Sequence, residues 1–165
     1  MKNFIRKRLR ENLRIPSEYN KVLSDSDKEQ IKNIPYNEIE LNQVGDDGND
    51  IINLSIGLKD INIDDSIVLD IQLVKDELYL ILNLLIDYKL QNLGLGYKII
   101  KQFIEEFGHG YFSNDKIVND VQIPRIITKL KSEYDFVGND NGVLIIKRNN
   151  EYKEELINIF NSVSQ

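Results

Sequence analysis

Residues 81–107 read ILNLLIDYKLQNLGLGYKIIKQFIEEF, and the fold turns on how this stretch is divided. Its first part, within the near-continuous apolar run Leu78–Asp87, has the pattern of a central strand buried on both faces. From Leu95 to Phe107 the apolar residues Ile99, Ile100, Phe103, Ile104 and Phe107 recur at helical spacing and form one stripe. Between them lies a short loop, Gln91-Asn92-Leu93-Gly94-Leu95-Gly96. A glycine-bearing loop that opens a helix directly after a strand is suited to holding a phosphate. The first helical turn carries unpaired N–H groups and the positive end of the macrodipole, and glycine lets an anion approach the backbone.

Working outward, Ser66–Lys75 alternates Ile67, Leu69, Ile71 and Leu73, which predicts a half-buried strand paired to Leu78–Asp87 across a turn at Asp76-Glu77. Ile51–Leu58 and the segment Glu38–Val44 read as two further strands around the turn Asp46-Asp47-Gly48-Asn49. Residues 2–13, with Phe4, Ile5, Leu9 and Leu13 between basic residues, predict an amphipathic helix ended near Pro16. Ser26-Asp27-Lys28-Glu29 resembles a capping box for a second helix that runs to Ile34 and stops at Pro35. After Gly108 and Gly110, Tyr111-Phe112 suggests a short strand, and Val118–Leu130 a helix with Pro124 inside it. Tyr134–Val137 and Gly142–Lys147 predict a hairpin around Asn139-Asp140-Asn141, and Glu151–Val163 a last helix. The order is α-α-β-β-β-β-α-β-α-β-β-α. It describes an α/β domain over 35–149 with a mostly antiparallel sheet and one crossover at the glycine loop, preceded by a helical arm (1–34) and followed by a C-terminal helix (150–165).

Composition narrows the function classes. The 165 residues suffice for one domain with a real core, and no run is apolar enough to span a membrane as a helix. The absence of cysteine excludes disulfides and thiolate metal sites and fits a cytoplasmic protein. One histidine, His109, argues against a His-rich metal centre or a Ser-His-Asp triad, so no metal is expected. Residues 2–14 hold six basic side chains against Glu11, a net +5, so the −6 of the whole chain leaves −11 for the rest. An acidic body argues against wrapping nucleic acid. The basic segment is the one part suited to touching nucleic acid, a membrane surface or an acidic partner, and a solvated helix face explains it as well.

At this point the chain resembles the GNAT superfamily of N-acetyltransferases. The family's Gln/Arg-x-x-Gly-x-Gly/Ala signature stands here as Gln91-x-x-Gly94-x-Gly96, after Leu84-Leu85-Ile86 where the family has a splayed strand end. The run Asn119–Phe136 is similar to the family's next helix and strand. The resemblance implies a GNAT-like fold that takes acetyl-CoA and passes the acyl group to an amine acceptor. It also implies a phosphate cradle made by Gln91, Asn92, Leu93, Gly94, Leu95 and Gly96 with Tyr97 and Lys98, and a pantetheine groove lined by Leu84 and Ile86.

The catalytic residues stay unassigned. Aligning Lys129-Leu130 with the family's Lys-Leu puts Ile127, with Thr128 beside it, where a proton-donating tyrosine would stand, and spacing does not select Tyr111 or Tyr134 as a substitute. Asp70, Glu77 and Asp87 are available as bases but read as exposed strand-end carboxylates, and His109 as a loop residue. The opening Lys2-Asn3-Phe4-Ile5-Arg6-Lys7-Arg8-Leu9-Arg10-Glu11 resembles small proteins of tailed bacteriophages, and Leu90–Phe107 resembles phage versions of the GNAT fold. That resemblance implies an alternative: a non-catalytic structural subunit of a virion, docking on neighbouring subunits through its two terminal helices, in host cytoplasm or particle. A different nucleotide site fits less well, since the loop lacks the Gly-Lys-Ser/Thr ending and the third glycine of the common fingerprints.

Overall fold

The structure, a computed structural model, describes residues 23–46, 48–75, 77–114 and 122–163. The helix expected over residues 2–13 lies outside them. Helix α1 (Asp25–Asn33) leads into β1 (Ile39–Asp46), β2 (Ile51–Leu58), β3 (Ile67–Lys75) and β4 (Leu78–Ile86). Then come α2 (Leu95–Phe107), β5 (His109–Ser113), α3 (Gln122–Leu130), β6 (Tyr134–Asn139), β7 (Gly142–Lys147) and α4 (Lys153–Ser162). The strands form one seven-stranded sheet in the order β1-β2-β3-β4-β5-β7-β6. Only β4 and β5 pair in parallel, and α2 makes the crossover between them. The fold is therefore mixed α/β with a mostly antiparallel sheet, as the element order predicts.

Two apolar layers cover the sheet. On one face Leu54, Ile56, Leu69, Ile71 and Ile81 meet Ile31 of α1, Ile99, Ile100, Phe103 and Ile104 of α2, and Ile126 and Leu130 of α3. On the other, Leu78, Leu80, Leu82, Tyr111, Leu144 and Ile146 pack against Leu156 and Phe160 of α4. A buried side chain of this size contributes about 1.5–3 kcal/mol, so the helices are held by their stripes rather than by propensity.

Two local expectations change. The cap of α1 is Ser24, whose hydroxyl accepts from the Asp27 amide at 3.0 Å while Asp27 accepts from the Ser24 amide; the box sits two residues before the predicted Ser26. Strand β3 is not half-buried: Ile67, Val68, Leu69, Asp70 and Ile71 are all buried. Alternation predicted one dry face, but the second is also covered, and Asp70 disguised it. Of the helix expected over Val118–Leu130, residues 118–121 lie outside the described residues, and α3 as described carries Pro124 near its start.

Two irregularities in β4 position the site. Its register against β3 jumps between Asp70↔Asn83 and Ile71↔Ile81, so Leu82 is an extra residue and the strand bulges there. Its pairing with β5 stops at Leu80↔Tyr111 and Ile81↔Phe112. Beyond Ile81, β4 runs on to Ile86 paired with β3, while β5 ends at Ser113.

Candidate functional site

The end of β4 is fastened before the helix begins. Asp87 donates its amide to Ser66 O at 2.9 Å, accepts the Leu90 amide at 2.9 Å, and caps the Lys89 amide with its carboxylate at 3.2 Å. Gln91 reaches back, its Nε2 donating to Ile86 O at 3.0 Å. Leu93 is buried in the core and anchors the middle of the loop. Asn92 and Gly94 both have left-handed backbone, at φ 64° and 78°, with Leu93 between them. Alternation of this kind turns successive N–H groups toward a common point, a concavity suited to an anion. Gly94 caps α2, and Leu95, Gly96 and Tyr97 form its first turn, where helical N–H groups have no intrahelical acceptor.

A cleft of about 260 Å³ opens at this point, lined by Ile86, Leu90, Gln91, Asn92, Gly94, Leu95, Gly96, Tyr97, Arg125, Ile126 and Lys129. Seven of the residues expected from the sequence therefore share one cavity: Ile86, Gln91, Asn92, Gly94, Leu95, Gly96 and Tyr97. The two glycines differ in role. A Cβ at Gly94 would meet nothing within 4 Å, so its direction is open to solvent. At Gly96 a Cβ would stand 3.2 Å from Ile126 Cδ1 and 3.8 Å from Leu84 Cδ2, so the missing side chain lets α3 close over α2. Leu84 supports the glycine from inside and is not itself part of the lining.

Lys98 falls elsewhere. Its Nζ donates to Lys32 O at 2.6 Å, so the ammonium closes the C-terminal end of α1 instead of facing the loop. Burial and the nearby Lys129 charge depress its proton affinity. The cleft's positive charge comes instead from Arg125 and Lys129, both exposed. These the sequence reading missed. The available signal was their spacing of four on α3, which puts both on one helical face opposite Ile123 and Ile127.

Tyr97 is the tyrosine that lines the cleft. Its hydroxyl donates to Glu133 Oε1 at 2.9 Å, and Lys101 binds the other oxygen of the same carboxylate. Burial, then the Glu133 contact, raise the Tyr97 phenol above its ordinary value, while Lys101 and Tyr97 hold Glu133 ionised. The other candidates lie outside the lining. Tyr111 is buried against Phe160, and burial raises its pKa. Tyr134 donates to Glu105 Oε1 at 2.7 Å, with burial and that carboxylate raising its pKa. Ile127 packs on the core, and Thr128 donates to Pro124 O at 2.8 Å.

The candidate carboxylates also separate. Glu77 is exposed in its turn and Asp87 caps the loop. Asp70 is no exposed strand-end acid: it is 1% exposed in mid-strand, accepting from Asn53 Nδ2 at 2.8 Å and Asn83 Nδ2 at 3.3 Å. Register explains this, because Asn53, Asp70 and Asn83 are direct partners across β2, β3 and β4. His109 is likewise not in a loop. It opens β5 in a buried position, its Nε2–H donating to Glu77 O, and burial depresses its pKa.

Among the described residues no group of acidic, histidine or cysteine side chains could hold a metal, and no helix is long and apolar enough to cross a membrane.

No protein-family model matches the chain, and no curated protein matches it. Solved structures similar to it in chain path include the ribosomal-protein-S18-alanine N-acetyltransferase of Escherichia coli, at 12% identity and TM-score 0.41, covering 79% of this chain and 94% of that one. A GNAT-family acetyltransferase from Staphylococcus aureus has 12% identity and TM-score 0.39, with 89% and 94% covered. A Bacillus subtilis acetyltransferase in complex with CoA has 12% identity and TM-score 0.36, with 66% and 94% covered.

Proposed function

We propose that the chain is an N-acyltransferase that binds acetyl-CoA at the glycine loop and passes the acyl group to an amine. The observation that carries this reading is the cleft itself. The first turn of α2, opened by Gly94, Leu95 and Gly96, lines one side, and Arg125 and Lys129 stand on the other. Helix N-termini and charge-assisted contacts both favour phosphate oxygens. At about 260 Å³ the cleft is smaller than the roughly 300–1,000 Å³ of most small-molecule sites. It suits a pyrophosphate, with the rest of the ligand lying outside it, past Ile86 at the end of β4. Bound there, the acyl thioester would supply an activated carbonyl; the chain's part is to grip, orient and exclude water.

The alternative, a virion subunit, would call for a groove filled by a side chain or a neighbour. None of this chain's own atoms stands within 4 Å of a Cβ built at Gly94, so this chain leaves room for a ligand there.

Calorimetry with acetyl-CoA on the full chain tests the proposal. Saturable binding in the micromolar range is expected, lost in Gly94→Glu, which strains the left-handed backbone and adds a negative charge at the loop. Absence of heat from the parent protein at millimolar acetyl-CoA would sink it.

A further inference from the structure

Two residues of α2 meet one carboxylate that belongs to the opposite wall of the cleft. Tyr97 and Lys101 stand four apart, on one helical face. The Tyr97 hydroxyl donates to Glu133 Oε1 at 2.9 Å, and the Lys101 ammonium binds Oε2. Glu133 is tied in turn to the end of α3, its amide donating to Leu130 O at 3.0 Å. Lys101 is also held from a third element, with Nζ 4.4 Å from the centroid of the Tyr36 ring in the short turn Tyr36–Glu38. The carboxylate therefore bridges the helix that opens the cleft and the helix that supplies its positive charge.

The bridge ends on a cleft cation. Lys129 Nζ lies 5.7 Å from the centroid of the Tyr97 ring, and both residues line the cleft. A ring fastened at its hydroxyl keeps one rotamer and attracts the ammonium with its π face. Lysine has a flexible four-carbon stem, and an exposed one loses freedom when it meets a ligand. A fixed ring beside it limits that loss before the ligand arrives. Charge sharpens the point. Glu133 is an anion close to a site for anions, where its field opposes phosphate binding. Its presence is explained by what it holds, and Lys101 offsets its charge.

We propose that Glu133 is a positioning residue of the cleft: through the Tyr97 ring it holds Lys129 against the phosphates of the ligand. This rests on the acyl-CoA reading of the cleft. Glu133 touches no ligand atom itself, and the Tyr97 hydroxyl, already engaged, serves as the anchor of the ring.

Calorimetry on the full chain, with acetyl-CoA and inorganic pyrophosphate as separate probes, tests the role. Glu133→Ala should weaken both by about fivefold, the size of one long side chain left mobile. Glu133→Gln keeps an oxygen for the Tyr97 hydroxyl and removes the negative charge, so it should bind at least as tightly as the parent. Tyr97→Phe keeps the ring but frees it, and should match Glu133→Ala. In a Lys129→Ala background, Glu133→Ala should change neither affinity further, because the side chain it positions is gone. Parent-like binding by Glu133→Ala, equal losses in Glu133→Gln and Glu133→Ala, or losses that add to those of Lys129→Ala would each overturn the proposal. Should Glu133→Ala fail to fold, Tyr97→Phe carries the same cycle with Lys129→Ala, and additive losses there overturn it too. Pyrophosphate binding without acetyl-CoA heat would remove the acyl-CoA reading and leave the positioning role standing on the pyrophosphate series. Acetyl-CoA binding that the variants leave unaltered would remove the role alone, and binding of neither probe would overturn both.

Discussion

Gly94 and Gly96 stand two positions apart and meet different demands. Gly94 supplies a left-handed backbone at φ 78° in open space, whereas Gly96 supplies an absence of volume that Ile126 fills. Gly142 is stricter than either, since a Cβ there would lie 1.8 Å from the Phe112 carbonyl oxygen. His109 is a residue whose consequence is thermodynamic. Burial lowers its folded-state pKa below the ordinary value, so the unfolded chain binds the proton more tightly. Its contribution to stability is complete above about pH 6.5, the unfolded value, and is lost as pH falls toward the depressed folded value. Urea unfolding should show stability decreasing between about pH 7 and pH 5, by about 1.4 kcal/mol for each tenfold loss of proton affinity. His109→Gln, which keeps an N–H for the Glu77 carbonyl, should flatten that slope; an unchanged slope would assign it to another group.

At the scale of elements, the loop between β4 and α2 is held shut by one side chain that spans it. Gln91 Nε2 ties the loop to Ile86 O at 3.0 Å, fixing the strand end relative to the first amides of α2. Gln91→Ala removes a partly exposed hydrogen bond and should lower stability by no more than about 1 kcal/mol. Acetyl-CoA affinity should fall further, by roughly tenfold, because the amides lose their common aim. Calorimetry beside thermal melting separates the two effects, and equal losses would mean that the bond supports only the fold. The same residue marks how far an element can be read from sequence. The strand, loop and helix of 81–107 were legible from periodicity and glycine placement, since each depends on neighbours in the chain. The extra residue at Leu82 was not legible, because a bulge exists only against a partner strand.

Across the whole molecule, an acidic chain of net −6 must attract a polyanion with local charge alone. Arg125 and Lys129 are exposed, so their attraction is screened over about 8 Å at physiological salt. Acetyl-CoA affinity should therefore fall as ionic strength rises, and the Arg125→Ala, Lys129→Ala double variant should bind more weakly with a flatter salt dependence. Parallel salt plots for variant and parent would show that these two side chains do not meet the ligand. Large-scale cohesion has a corresponding seam. The β4–β5 junction has only two paired positions, and it is backed by α2 on one face, with Phe103 fully buried, and by Leu156 and Phe160 of α4 on the other.

Sequence alone determined the strand and helix order, the place of the crossover and the glycine loop, because hydrophobic period and backbone permissiveness are local properties. The family resemblance implied that Ile86, Gln91 and Gly94 act together, and the three line one cleft. Tertiary structure decided what distant segments bring together. Arg125 and Lys129 face the loop only because α3 packs on Gly96, Lys98 turns away because α1 ends beside it, and Asp70 is buried because register sets it between two asparagines. Each of these is a relation between residues far apart in the chain, fixed by packing and strand pairing that no single segment encodes.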